Sequence, residues 1–417
     1  MSTPAIITPD VIRRARERLR GQIRETPVFS SPALSAACGS ELWLKHEYHQ
    51  VTGSFKERGA VNRLLQLSRE ERARGVVAAS AGNHALGLAY HGQRLGIPVR
   101  VVMPRFAPMV KVDRCRTYGA TIDLVGDSFD EARGLAASLS KEHGLTLVHG
   151  FDDVDVIAGQ GTIGLEFIDQ LEAPRAAGVE SVELDAVVVP VGGGGLIAGV
   201  ALAIASLRPN VQIIGVEAAN APTLSRALEA GQPVTVRVEP GLADGLAVAR
   251  LGEHCFPIIQ AHVSRVERVE EAEIATAIVR LMEMEKTLVE GAGAVGVAWL
   301  LRRPAALLGK RVGVVLSGGN IDLNVASRVI ERGLAAAGRL CRVAVEVSDY
   351  PGALARLLSL VASTEANLVR VDHDRNFAPA DVTRVSVSLV LETRDAGHIE
   401  RLRDVLAGAG LQFRFGG

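Results

Sequence analysis

Lys56 sits in the run Thr52-Gly53-Ser54-Phe55-Lys56-Glu57-Arg58-Gly59-Ala60. A lysine that follows small, flexible residues and stands beside Phe55 is placed unlike most surface lysines. If the segment packs inside, the ammonium loses hydration, its pKa falls and the amine becomes a nucleophile able to form a Schiff base. The same letters also suit a glycine-containing turn leading into a helix, with Lys56 solvated. On this segment alone the two readings stand level.

The run Gly192-Gly193-Gly194-Gly195-Leu196 directly follows an apolar stretch ending Val189-Pro190-Val191. Consecutive glycines suit neither helix nor strand, but they let the backbone N–H groups of a tight loop converge on one point. From Ile197 the pattern is helical, so the loop opens a helix, where the backbone dipoles favour a phosphate. A plain connector needs fewer glycines, which makes the phosphate site the stronger reading. Neither nucleotide motif fits, because G-x-x-x-x-G-K-[ST] is absent and no acidic residue is suitably spaced after a G-x-G-x-x-G.

Two further glycine turns follow apolar runs. Ser317-Gly318-Gly319-Asn320 puts a serine hydroxyl at the carboxyl end of a strand, where ligands of open α/β sheets bind. Ser80-Ala81-Gly82-Asn83-His84 offers side chains and helix-start amides as an anion or carboxylate cradle. His84 could act as a general base, although a histidine in a first helical turn is more often structural. A nucleophilic amine, a phosphate loop and glycine turns at strand ends together call for a phosphorylated carbonyl cofactor. Pyridoxal phosphate meets all three requirements.

The elements that must position these residues alternate along the chain. Short β-branched runs at 76–79, 99–103, 121–125, 186–189, 212–216 and 311–316 predict strands separated by helices, the pattern of parallel sheets buried on both faces. Thr8 and Pro9 predict the cap and first turn of a helix whose apolar stripe is Val11-Ile12, Ala15 and Leu19. After about residue 335 the order becomes strand (341–347), helix (352–364), strand (367–372), strand (382–391), helix (396–407), strand (411–415). That βαββαβ order is ferredoxin-like. The expected organisation is a catalytic region over 1–335, with a smaller subdomain at about 46–155, a linker at 336–340 and a C-terminal domain over 341–417.

T-G-S-F-K-x-R-G-A at 52–60, S-A-G-N-H at 80–84, G-G-G-G-L at 192–196 and S-G-G-N at 317–320 together resemble the fold type II (tryptophan synthase β-like) pyridoxal-phosphate enzymes, and within them the threonine/serine dehydratases. The resemblance implies an α/β fold of two open parallel-sheet domains. It implies that Lys56 is the Schiff-base lysine and the base at Cα, with Phe55 beside the cofactor. Asn83 then bonds the ring hydroxyl, Gly192 to Leu196 bind phosphate, and Ser317 faces the pyridine nitrogen. Ser80, Ala81, Gly82, Asn83 and His84 would hold the substrate carboxylate. A neutral hydroxyl at Ser317 leaves the ring a weaker electron sink than a carboxylate would, which favours prompt β-elimination over transamination. The implied reaction converts L-threonine to 2-oxobutanoate and ammonia, and L-serine to pyruvate. The implied assembly is a homodimer or homotetramer.

Racemases that resemble this sequence carry a serine where Ala81 stands, so serine racemase is the weaker reading on this scaffold, together with 3-hydroxyaspartate ammonia-lyase. Glu47-Tyr48-His49-Gln50 departs from the E-N-x-Q common in the family, which bears on the preferred hydroxy amino acid. Glu217 and Ala221 match part of a divalent-cation site of some relatives, but Thr223 replaces its aspartate, and no metal is expected. The tail, with Asp349-Tyr350-Pro351-Gly352, Asn367 and His373-Asp374-Arg375, resembles an ACT regulatory domain. The resemblance implies an amino-acid effector, isoleucine or valine, held by Asp349, Pro351, Gly352 and Asn367, and a place in isoleucine biosynthesis. A reading of another class is a non-catalytic amino-acid sensor.

Composition narrows the classes further. A chain of 417 residues exceeds what one hydrophobic core organises. Aromatics are only 4% of the chain, so Ala, Val, Leu and Ile must build the core. The net charge of −1 argues against nucleic acid as a partner. The four cysteines are far apart, which indicates neither disulfides nor a metal cluster. Met1-Ser2-Thr3-Pro4 lacks a signal pattern and charges interrupt every apolar run, so a cytoplasmic protein without a membrane span is expected.

Overall fold

Runs of valine and isoleucine buried on both faces build two parallel sheets, as a chain that alternates strands and helices requires. The structure, a computed structural model, describes residues 7–173, 181–374 and 383–416. It divides into two compact units, Met1–Ile321 and Asp322–Gly417. The readings at Met1 to Pro4, Arg375 and Val382 lie outside the described residues.

In the first unit the larger sheet comprises β1 (Val28–Ser30), β2 (Glu41–His46), β7 (Ala186–Pro190), β8 (Gln212–Ala218), β9 (Arg265–Val269) and β10 (Arg311–Leu316). Its order is β1-β2-β10-β7-β8-β9, parallel except where β1 runs against β2. The smaller sheet is wholly parallel, with β3 (Val76–Ala79), β4 (Val99–Met103), β5 (Thr121–Leu124) and β6 (Thr146–Leu147) in the order β5-β4-β3-β6. The strands β7 and β10, which lead into the glycine run and the S-G-G-N turn, are neighbours in register. Strand β2, inserted beside β10, was not evident from pattern because Lys45 and His46 interrupt its apolar run.

One local expectation is modified. Thr8 occupies the N-cap position of the helix Pro9–Leu19, but its side chain makes no capping bond; Pro9 and the buried Ile12, Ala15 and Leu19 define the helix instead. By contrast, Ser128 caps the helix Phe129–His143, accepting from the Glu131 amide. No described helix is long and apolar enough to cross a membrane.

The second unit holds the helix Leu323–Ala336 and an antiparallel sheet of β11 (Leu340–Ser348), β12 (Asn367–Asp374), β13 (Arg384–Glu392) and β14 (Gln412–Gly416) in the order β12-β13-β11-β14. The helices Ala353–Ser363 and Ala396–Gly408 lie between the strands in sequence, which completes the βαββαβ order. Val343, Val345, Leu357, Val387, Leu389 and Leu402 pack its core.

The most demanding feature of the first unit is a buried charge cluster just beyond Lys56. Arg58, on the helix Lys56–Leu65, donates Nε and Nη2 to the two Glu47 oxygens, each at 2.8 Å. Its Nη1 donates to Glu166 Oε2 at 2.8 Å, and Lys45 Nζ donates to the other oxygen of Glu166 at 2.5 Å and to the Thr26 carbonyl at 2.7 Å. Burial opposes the Arg58 charge, but Glu47 and Glu166 hold its pKa above the usual arginine range. Removing one partner leaves the others as uncompensated buried charge, a larger loss than the pair's own net worth. Arg58→Met is therefore expected to destabilise the chain by about 3–5 kcal/mol in urea unfolding; an unshifted transition contradicts a closed charge cluster.

Candidate active site

Lys56 begins its helix, and its side chain turns back toward the loop His149 to Asp152. The amine donates to the Gly150 carbonyl at 2.6 Å and stands 5.2 Å from the Phe55 ring centre. Burial lowers its pKa from 10.5 to about 8, with Cys255 and Glu290 pulling the other way. The buried-amine reading of Lys56 thus prevails over the solvated turn. Backbone bonds fix the preceding turn: the Phe55 amide donates to the Ser317 carbonyl and the Gly319 amide to the Gly53 carbonyl, each at 3.0 Å. Ser54 and Gly318 form a bridge between them.

The same loop reaches the glycine run. Phe151, next to Gly150, packs so closely that a Cβ on Gly193 would lie 2.4 Å from its ring, and one on Gly195 would lie 2.7 Å from its carbonyl oxygen. Gly192 is pressed against Leu246, and Gly194 has φ +97° with Cys255 close by. The run is therefore required by packing as well as by the backbone geometry of a cradle. Gly194 caps the helix Gly195–Leu207, whose first backbone bond runs from the Ala198 amide to the Gly194 carbonyl at 2.9 Å. The amides of Gly195, Leu196 and Ile197 precede that bond and have no intrahelical carbonyl to meet, which suits an anion.

Asn83 starts the helix Asn83–Leu95 after β3. Its Nδ2 donates to Glu290 at 2.7 Å, and its Oδ1 accepts from Asn320 Nδ2 at 2.8 Å. One N–H of the Asn83 amide stays available for a ligand oxygen. Glu290 was not singled out from sequence; it precedes the helix Gly291–Leu300, and a Cβ on Gly318 would lie 2.2 Å from its carboxylate. Burial, then Asp244, raises its pKa to about 7, against Lys111 and the donors Asn83 and Asn320. The acidic letter before a glycine-rich helix was the only signal, and its depth in the fold was not in the pattern. Ser317 ends up 2% exposed just after β10, as its position beyond an apolar strand requires.

In the cradle Ser80 to His84, the Ser80 hydroxyl accepts from the Gly82 amide at 3.3 Å, while Ala81 and Gly82 line the turn. His84 is buried, and its Nε2 lies 3.2 Å from the Val148 carbonyl. A carbonyl only accepts, so Nε2 carries the proton and Nδ1 is left as a buried acceptor with no partner among the described residues. Burial and then the Lys56 charge lower its pKa to about 3, which makes it a poor proton acceptor. An acceptor nitrogen cannot grip a carboxylate, so the backbone amide is what His84 can contribute there.

Other sequence-marked residues lie elsewhere. The Tyr48 hydroxyl sits 2.6 Å from His46 Nδ1, and its Cβ packs over Gly319. Glu217 accepts from the Leu224 and Ser225 amides at 2.8 and 3.2 Å, so it serves the start of the helix Thr223–Ala230. In the second unit Asp349, Pro351, Gly352 and His373 line one cavity of about 390 Å³. Asn367 is bonded to Glu392 at 2.8 Å and does not line it.

These residues fit pyridoxal phosphate. The part-buried amine of Lys56, the steric need for glycine through 192–195 with free helix-start amides, the spare Asn83 N–H and the buried Ser317 hydroxyl match its aldehyde, phosphate, ring oxygen and ring nitrogen in kind. The chain's residues 19–318 match the family model described as "Pyridoxal-phosphate dependent enzyme". The chain is 44% identical over 412 residues to an L-threonine ammonia-lyase of Thermotoga maritima, covering 99% of this chain and 100% of the relative. It is 46% identical over 400 residues to an L-threonine ammonia-lyase of Geobacter sulfurreducens, covering 96% and 97%. Among solved structures, serine racemase from Dictyostelium discoideum superposes with a TM-score of 0.70 at 35% identity, covering 76% of this chain and 100% of that one. With the family model spanning most of the first unit and relatives matching end to end, the chain belongs to the fold type II pyridoxal-phosphate-dependent enzymes.

Proposed function

We propose that the chain is a threonine ammonia-lyase, converting L-threonine to 2-oxobutanoate and ammonia and L-serine to pyruvate. Bound pyridoxal phosphate supplies a carbonyl for the substrate amine and an electron-withdrawing ring that accepts the charge left at Cα. The chain's part is to hold and to move protons. Amides of Gly192 to Leu196 would hold the phosphate, Asn83 would donate to the ring oxygen, and the Ser317 hydroxyl would meet the ring nitrogen without imposing a charge on it. The turn Ser80 to Asn83 and the His84 amide hold the substrate carboxylate. Lys56, its pKa lowered to about 8, is neutral in roughly a tenth to a fifth of molecules near pH 7, far more often than an ordinary lysine, and takes the Cα proton. The β-hydroxyl leaves as water, taking up one proton in balance with the one Lys56 removed from Cα, and hydrolysis of the released enamine yields the oxo acid and ammonia.

The observation that carries this reading is the His149 to Asp152 loop, which brings the Lys56 amine and the glycine run together. Ala81, which has no proton to give, supports elimination over racemisation. End-to-end likeness to two L-threonine ammonia-lyases supports threonine as the substrate. We further infer a cytoplasmic enzyme assembled as a homodimer or homotetramer, with the C-terminal cavity receiving an amino-acid effector, isoleucine or valine.

Lys56→Ala is expected to abolish formation of 2-oxobutanoate from threonine, while the unaltered chain converts serine to pyruvate with no D-serine in chiral analysis. Undiminished turnover by Lys56→Ala would sink the assignment. In the cofactor-free chain Lys56 binds its proton less tightly when folded (about 8) than when unfolded (10.5). Stability therefore rises with pH between those values, and below about 8 the fold bears the whole cost of the charge. Lys56→Met should stabilise the cofactor-free chain at pH 7 by up to about 3 kcal/mol, with the gain fading toward pH 10.5. Equal melting temperatures at pH 7 contradict a buried amine. Isoleucine or valine should shift the threonine saturation curve, and Asp349→Ala should remove that shift; a curve indifferent to both amino acids contradicts the effector reading.

A further inference from the structure

The last letter of Ser317-Gly318-Gly319-Asn320 has no part in the reading above, yet its side chain joins three segments of the site. Asn320 Nδ2 donates to the Thr52 carbonyl at 2.7 Å and to Asn83 Oδ1 at 2.8 Å. Its Oδ1 accepts from Arg114 Nη1 at 2.9 Å. Both amide hydrogens are thereby used, and the oxygen faces a cation. Gly53 is shaped to this amide: at φ +81°, a Cβ there would lie 2.6 Å from Asn320 Oδ1.

The direction of the Asn320 amide is fixed from two sides, by Arg114 at its oxygen and by the Thr52 carbonyl at its nitrogen. A guanidinium only donates, so Asn320 must turn its oxygen toward it and its NH2 toward Thr52 and Asn83. Asn83 must then offer Oδ1 to Asn320. That leaves Asn83 Nδ2 as the donor, with one hydrogen on Glu290 at 2.7 Å and the other spare. Arg114 belongs to the helix Met109–Thr117, between β4 and β5 of the smaller sheet, whereas Asn320 follows β10 of the larger one. A second bond ties the same helix across, from Lys111 Nζ to Asp244 at 3.0 Å.

We propose that Asn320 is a positioning residue which, clamped by Arg114, fixes the Asn83 carboxamide as a donor toward the cofactor, so that the grip on the cofactor depends on the Met109–Thr117 helix docking onto the S-G-G-N turn. The inference rests on pyridoxal phosphate as the cofactor and not on threonine as the substrate.

The test is a double-mutant cycle in the affinity of the full-length chain for pyridoxal phosphate, read from the visible absorbance of the bound cofactor. Arg114→Met should weaken binding roughly tenfold, the loss that goes with a hydrogen bond from a charged donor. In an Asn320→Ala or an Asn83→Ala background the same substitution should change affinity by less than about twofold, because the route is already cut. A contact that merely stabilises the fold would lower the melting temperature without such coupling. The same factor in all backgrounds overturns the proposal, as does an Arg114→Met chain that binds as tightly as the unaltered one. The Asn83→Ala background keeps the cycle measurable should Asn320→Ala not fold. A chain that shows the coupling but leaves threonine untouched contradicts the substrate reading alone.

Discussion

Lys56 exchanges its hydration for a short contact to the Gly150 carbonyl, and that exchange brings its pKa down to about 8. A neutral acceptor lets the ammonium form without making it comfortable, whereas a carboxylate in the same place would raise the pKa and silence the amine. The surroundings respect this. Lys45, a few residues upstream, is also buried, but Glu166 takes it into a closed charge cluster. Burial lowers both lysines' pKa values, but Lys45 meets the Glu166 carboxylate as well as the Thr26 carbonyl, whereas the Lys56 amine meets the Gly150 carbonyl.

Placing that amine requires parts of the chain far apart in sequence. Backbone bonds stitch the turn before Lys56 to the S-G-G-N turn, so Lys56 and Ser317 share one rigid support. The loop at 149–152 acts as a second support, with a carbonyl for the amine on Gly150 and a ring against the glycine run on Phe151. Close packing makes each glycine of that run answer to a neighbour as well as to the phosphate it is proposed to hold. Rigid placement of this kind supplies orientation before substrate arrives.

Much of this was legible in the letters, for identifiable reasons. Lys56, the run at 192–195 and the turns at 80–84 and 317–320 announce themselves because glycine, serine and asparagine mark backbone shapes that few other residues adopt. The parallel strands β3, β4, β5, β7, β8 and β10 were visible from continuous β-branched runs, whereas β6 and β9 were not. Residues whose role arises from tertiary placement were not. Glu290 matters because burial and Asn83 meet it, Arg114 because a helix docks, and His84 because a carbonyl fixes its tautomer. Strand β2 was hidden by Lys45, a charge that only its distant partner Glu166 explains. Asn367, read from a motif as an effector contact, is bonded to Glu392 at the start of β12.

The central claim is that Lys56, and no other lysine, is the amine that meets the carbonyl cofactor. Borohydride reduction of the full-length chain loaded with pyridoxal phosphate, followed by peptide mass mapping, tests it most directly. The account predicts a single phosphopyridoxyl group, carried by Lys56. A group carried instead by Lys45, Lys111 or Lys286 would contradict it.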